Sequence, residues 1–101
     1  MAKDYDRYDA NQETGVDTDG IIIDPDFTIH EFVIVNRQTD ADLEFRTLGT
    51  PAQSISGPWI RVIQAASGQR TPFERKFKLT CSRIEVRAAS GTVDFDWITL
   101  A

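Results

Sequence analysis

The sequence predicts an all-β chain, an antiparallel β-sandwich of jelly-roll type with about six to eight short strands and an extended N-terminal arm, with a small closed barrel as the alternative that shows the same alternation. Three observations point there. No window of about 11 residues or more repeats apolar side chains at helical spacing. Short runs rich in β-branched and aromatic residues recur, separated by Gly, Pro, Asp and Ser turn signals at roughly ten-residue intervals. Several of those runs alternate apolar with polar side chains, as a strand does when one face is buried.

Residues 1 to 20 read as the arm. Apart from Met1 and two alanines, Val16 is their only aliphatic residue. Such a segment buries too little apolar surface to offset its ordering entropy, so it is expected to be flexible in isolation. Tyr5 and Tyr8 are its aromatic anchors, suited to contact with a neighbouring subunit. Residues 21 to 101 read as the β-sandwich domain.

The domain opens with Ile21-Ile22-Ile23, a short β-branched run closed by Asp24-Pro25. Residues 27–36, F-T-I-H-E-F-V-I-V-N, form a longer strand whose apolar centre at 32–35 suggests burial on both faces. In residues 42–48 Leu43 and Phe45 point inward while Glu44 and Arg46 point outward. Gly49-Thr50-Pro51 ends that run, and a polar loop over 52–58 leads to W-I-R-V-I-Q-A-A. Residues 73–80 place Phe73, Phe77 and Leu79 on one face with Arg75, and Glu74, Lys76 and Lys78 on the other. The runs 83–88 (Ile84 and Val86 inward) and 92–100 (Val93, Phe95 and Trp97 inward) are joined by Ala89-Ser90-Gly91 and read as a hairpin.

Composition narrows the function. A chain of 101 residues makes one domain with a single modest core. Its one cysteine, Cys81, has no internal disulfide partner and reads as a small core hydrophobe. The start, M-A-K-D-Y-D-R-Y-D, is acidic where a signal peptide is basic and then apolar. No apolar run approaches the ~18 residues of a membrane span. These features lead us to expect a soluble protein made in the cytoplasm, with no membrane partner. The net charge of −5 is uneven: residues 1–26 carry eight acids and two bases, residues 27–101 eight acids and nine bases. An acidic arm therefore precedes a nearly neutral body.

The acidic stretch G-V-D-T-D-G-I-I-I-D-P-D, residues 15–26, invites comparison with a calcium loop. With Gly20 at the glycine position, Asp17 and Asp19 fall on ligand positions. The first ligand position is then Gly15, the last is Asp26 after Pro25, and neither flank is helical. Two turns, at Asp19-Gly20 and Asp24-Pro25-Asp26, describe the stretch better. No metal and no cofactor is expected. His30 is the only histidine, S-I-S-G at 54–57 is not a nucleophile elbow, and no phosphate loop is present. Asp94 and Asp96 share an outward strand face, where solvated acids are the default reading. No nucleophile, base and orienting group can be named together, so an enzyme is not expected. Between Arg70 and Arg87 there are six bases and two acids. This basic stretch suits either a single-stranded nucleic acid or the acidic arm of a neighbouring copy. Trp59 offers a glycan platform, whereas Trp97 is in phase with Val93 and Phe95 and reads as core.

The C-terminal segment P-F-E-R-K-F-K-L-T-C-S-R-I-E-V-R-A-A-S-G-T-V-D-F-D-W-I-T-L-A resembles the ending of small β-rich virion proteins of tailed bacteriophages and gene transfer agents. There, a basic segment of the R-I-x-x-V-x-A type precedes a small-residue turn and a last apolar strand. The matching residues are Arg83, Ile84, Val86, Ala88, Ala89, Ser90, Gly91 and Thr92, then Val93 to Leu100. The resemblance covers about 30 of the 101 residues. The turn here is poorer in threonine and glycine than in those proteins, and Asp94 and Asp96 add acids to the last strand. The resemblance implies a non-enzymatic virion component, a capsid decoration protein or the base of a head spike or fibre. It implies a symmetric homo-oligomer whose partners are other virion proteins of capsid or neck. On this reading Tyr5, Tyr8, Arg75, Lys76 and Lys78 are the partner-binding residues, and nucleic acid is not the expected partner. The alternative is a small binding module for glycan or single-stranded nucleic acid.

Overall fold

The computed structural model describes residues 7–37, 41–53, 55–62 and 73–101, the side chains at 73 and 74 excepted. These residues form strands β1 (Tyr8–Val16), β2 (Ile21–Ile23), β3 (Ile29–Asn36), β4 (Leu43–Leu48), β5 (Ile60–Val62), β6 (Phe73–Cys81), β7 (Arg83–Ala88) and β8 (Val93–Leu100). Sheet I has the order β1-β8-β3-β6 and sheet II the order β2-β7-β4-β5. Every neighbouring pair is antiparallel.

The pairing follows a simple rule. β1 pairs with β8, β2 with β7, β3 with β6 and β4 with β5, as in one long hairpin whose tip is the β4–β5 link. Successive pairs alternate between the sheets, and β8 with β3 and β7 with β4 close them laterally. That connectivity is a jelly roll, the expected fold class in its specific form.

Alternation fixes which residues face inward. Phe32 and Ile34 of β3, Leu43 and Phe45 of β4, Ile84 and Val86 of β7, and Val93 and Phe95 of β8 are fully buried. Phe45 joins the layers: its ring lies edge-on to Phe32 at 5.1 Å and to Phe77 at 4.7 Å between centroids. Such pairs add about 0.5–1.5 kcal/mol each beyond the area they bury. Burial of Phe32 and Ile34 against half-burial of Val33 and Val35 shows that β3 is covered on one face only.

Two further expectations change. The runs 83–88 and 92–100 are strands, but they are not a hairpin: β7 lies in sheet II and β8 in sheet I. The link between them crosses the sandwich, with Gly91 at φ +62 and the Ala89 amide donating to the Asp42 carbonyl at 3.0 Å. Both strands send every second side chain into the same core, which two strands in opposite layers do as readily as two side by side. The arm also changes. From Tyr8 to Val16 it is the edge strand β1, extended along β8. Most of its side chains are exposed, but Val16 joins the core. Residues 1–6, and residues 63–66 of the run after Trp59, lie outside the described residues.

Candidate functional site

Side chains at Tyr8, Ala10 and Gln12 alternate to the outward side of sheet I, because their neighbours Asp9, Asn11 and Glu13 oppose the inward Thr99, Trp97 and Phe95. The register sets out the outer face row by row. Tyr8 lies beside Leu100, Leu100 beside Glu31 and Glu31 beside Lys78. In the next row Ala10, Ile98, Val33 and Lys76 are neighbours. Gln12, Asp96 and Val35 begin the third. Tyr8 is 68% exposed and Ile98 38% exposed, while Val33, Val35 and Leu100 are half-buried. The middle of the face is thus apolar, with a basic border along β6.

The partner-binding residues expected from sequence divide accordingly. Tyr8 stands on β1, one edge of sheet I; Arg75, Lys76 and Lys78 stand on β6, the other edge. Arg75, Lys76 and Lys78 are exposed. Lys76 reaches Glu31 at 3.7 Å, and the Arg75 guanidinium lies 5.6 Å from the Phe77 ring centre. Tyr5 lies outside the described residues.

Beyond its backbone ladder with β8, β1 is held in place by hydrogen bonds to side chains of the body. The Trp97 indole donates to Glu13 Oε2 at 3.0 Å and Arg37 donates to the Glu13 carbonyl at 3.1 Å. The Gly15 amide donates to Asp94 Oδ1 at 2.8 Å, and Arg37 Nε donates to Asp96 Oδ1 at 2.9 Å. Asp94 and Asp96, the outward pair read from sequence as solvated acids, are therefore engaged in fixing the edge strand and the end of β3.

The acidic stretch 15–26 contains the turn expected at Asp19-Gly20. Asp17 Oδ1 accepts from the Asp19 amide at 3.0 Å, and the Gly20 amide donates to the Asp17 carbonyl at 3.2 Å. Gly20 has φ +76, and a Cβ there would lie 2.4 Å from the Val86 carbonyl oxygen. Only glycine fits this close approach. Asp26 forms an ion pair with Arg7, whose guanidinium lies 5.2 Å from the Phe27 ring centre.

The outer face of sheet II has a different chemistry. Arg46 pairs with Glu85 at 2.8 Å, and Glu44 receives Arg87 at 3.0 Å and Arg61 at 3.3 Å. Trp59 precedes β5 in phase with Arg61 and so stands on this face. Its ring centre is 3.7 Å from the Arg87 guanidinium carbon and 4.6 Å from that of Arg46. The carboxylates fix the guanidinium groups, and the guanidinium groups fix the indole. Sequence alternation put Glu44 and Arg46 outward, but the stack on Trp59 joins strands distant in the chain and has no local signature.

A cavity of about 280 Å³ lies at one end of the sandwich, lined among others by Thr28, Thr47, Leu48, Ile55, Cys81 and Ser82. Among the described residues no carboxylate or imidazole lines it. Burial pushes the Cys81 thiol up to about 11, so at neutral pH it carries its proton and is a poor nucleophile. Compared with known protein families, curated proteins and solved structures, the chain matches none.

Proposed function

We propose that this chain is a non-enzymatic structural protein of a tailed-bacteriophage virion, a capsid decoration protein or the base of a head spike or fibre. It acts as a symmetric homo-oligomer and contacts other proteins of the capsid or neck. The observation that carries this reading is the outer face of sheet I. There Ile98, Leu100, Val33 and Val35 adjoin one another across two strands, with Tyr8 and Ala10 beside them. Apolar residues scattered singly over a surface need no explanation, but a contiguous set on one sheet face marks a contact surface. The C-terminal resemblance and the jelly-roll connectivity agree with it, although a fold alone assigns no role.

The test is mass spectrometry of purified phage particles from a lysate that expresses the chain. Peptides from this chain are expected in the particles, at a copy number that fits a symmetry axis of the shell. Their absence from particles, with the protein present in the lysate, overturns the reading.

A glycan-binding module is the second reading, and Trp59 favours it. An indole held by two carboxylate-fixed arginines is a preorganised stacking surface, and preorganisation lowers the ordering cost of binding. Single-strand binding through β6 has less support, because Phe77 packs on Phe45 in the core and is not free to stack on a base.

A further inference from the structure

We infer that copies of this chain join edge to edge through sheet I, with β1 of one copy pairing with β6 of the next. The inference rests on the reading of sheet I as an assembly surface and specifies how the homo-oligomer is built. β1 and β6 are the two ends of that sheet, and among the described residues neither has a strand on its outer side. Each is nine residues long. Three successive antiparallel pairings separate them, so they run in opposite directions. A neighbouring copy set alongside in the same orientation therefore adds another antiparallel pair, and sheet I continues from copy to copy.

Charge selects this pairing over its alternatives. Residues 8–16 carry Asp9 and Glu13 and no base, a net of −2. Residues 73–81 carry Arg75, Lys76 and Lys78 against Glu74, a net of +2. A two-fold contact of β1 with β1, or of β6 with β6, brings like charges together across the strands, which is destabilising. In the mixed contact the acidic edge meets the basic one, and Glu13 is the acid that comes directly opposite a base. Side-chain phase also agrees: continuing the sheet sets Tyr8, Ala10 and Gln12 on the same outward side as Lys76 and Lys78. With Tyr8 opposite Thr80, Gln12 falls opposite Lys76 and Glu13 opposite Arg75. The apolar rows of the outer face then run on between copies as one broad surface. Lysines on a lone edge strand also discourage unplanned pairing. Here the same lysines face the uncharged Ala10 and Gln12 of the neighbouring edge and reject a basic one.

A contact between two different edges does not stop at two copies; it closes into a ring or continues as a filament. The test is molar mass by size-exclusion chromatography with light scattering on the full chain. The unaltered protein is expected as a species of three or more copies. Lys76→Glu with Lys78→Glu makes both edges acidic, and Asp9→Lys with Gln12→Lys makes both edges basic; each double variant is expected as a monomer. All four substitutions in one chain exchange the charges of the two edges and are expected to restore the original mass. These four side chains are exposed, and circular dichroism of each variant checks that the strands persist. Double variants that keep the original mass overturn the inference, as does a fourfold variant that stays monomeric while folded. An unaltered chain that is monomeric at every concentration also overturns it. Its presence in or absence from purified particles then judges the virion reading separately.

Discussion

The two outer faces of this sandwich are each built from four antiparallel strands, of eight or nine residues in sheet I and three to six in sheet II, and they end in opposite chemistries. On sheet II almost every outward side chain of the central strands is charged and paired: Arg46 with Glu85, Glu44 with both Arg61 and Arg87. On sheet I the corresponding strands set Val33, Val35, Ile98 and Leu100 outward among Glu31, Asp94 and Asp96. Sheet II satisfies its outward polar groups within the chain and adds Trp59 as a lid over two of them. Sheet I leaves apolar area in water. A face that satisfies itself faces solvent at little cost, whereas an apolar face gains free energy when covered, at about 25 cal/mol per Å². On the proposed reading, the difference separates the part of the surface that serves the fold from the part that serves assembly.

The largest effect expected from breaking this contrast is on sheet I. Ile98→Asp sets a charge in the middle of the apolar rows, beside Val33 and Ala10. The chain is expected to disappear from purified particles while its melting temperature falls little, because Ile98 is already 38% exposed. Mass spectrometry of particles and a thermal melt read both quantities. Retention at the level of the unaltered chain would show that sheet I is not the covered face.

A smaller effect, and of the opposite kind, is expected on sheet II. Glu44→Gln removes the one carboxylate shared by Arg61 and Arg87 and leaves two cations side by side. Glu44 is 15% exposed, but Arg61 is 55% exposed, so solvent screens part of that repulsion. A loss of about 1–2 kcal/mol is expected, which is a fall of roughly 4–16 °C in a chain of this size. Incorporation into particles should be unchanged for the fraction that is folded. A melting temperature within 1–2 °C of the unaltered protein, on the order of measurement error, would mean that the ionic lattice contributes nothing to stability.

The smallest expected effect sharpens the role of Trp59. Trp59→Ala removes the stack of one indole on Arg87 and Arg46, worth about 0.5–1 kcal/mol at a partly exposed site, and a thermal melt should show the same loss whether or not sheet I is altered. Titration with soluble oligosaccharides separates a structural lid from a glycan platform. A glycan affinity that vanishes with Trp59→Ala, and that holds at high salt, would advance the second reading.

Local alternation made most of the core legible. Leu43, Phe45, Ile84, Val86, Val93, Phe95 and Trp97 were all expected inward, and all are buried. Each belongs to a run in which the period of two is unbroken, and the pleat turns that period into a face without reference to the rest of the chain. Arg83–Ala88 matches its strand bounds for the same reason, and Ile21–Ile23 matches because a β-branched run is closed there by Asp24-Pro25. β1 gave no such signal: Y-D-A-N-Q-E-T-G-V is polar on both sides and poor in strand formers. It is a strand because β8 offers it a ladder and because Trp97, Arg37 and Asp94 supply hydrogen bonds to it. The candidate interface was legible as residues but not as a surface. Tyr8 and the basic residues of β6 stood out by type, yet nothing local places them on opposite edges of one sheet.

The sequence by itself determined the all-β class, the inward side chains of its regular strands and the turn at Asp19-Gly20. All three follow from interactions within a few residues: steric preference, alternation, and a glycine where a side chain would collide. Tertiary structure alone decided that β7 and β8 part into different sheets, that the acidic segment becomes an edge strand, and that Trp59 rests on Arg46 and Arg87. Each of these depends on which backbone edges and side chains meet across long stretches of chain. That choice is made by closing two layers over one core, and a period of two in the sequence is the same whichever neighbour a strand takes.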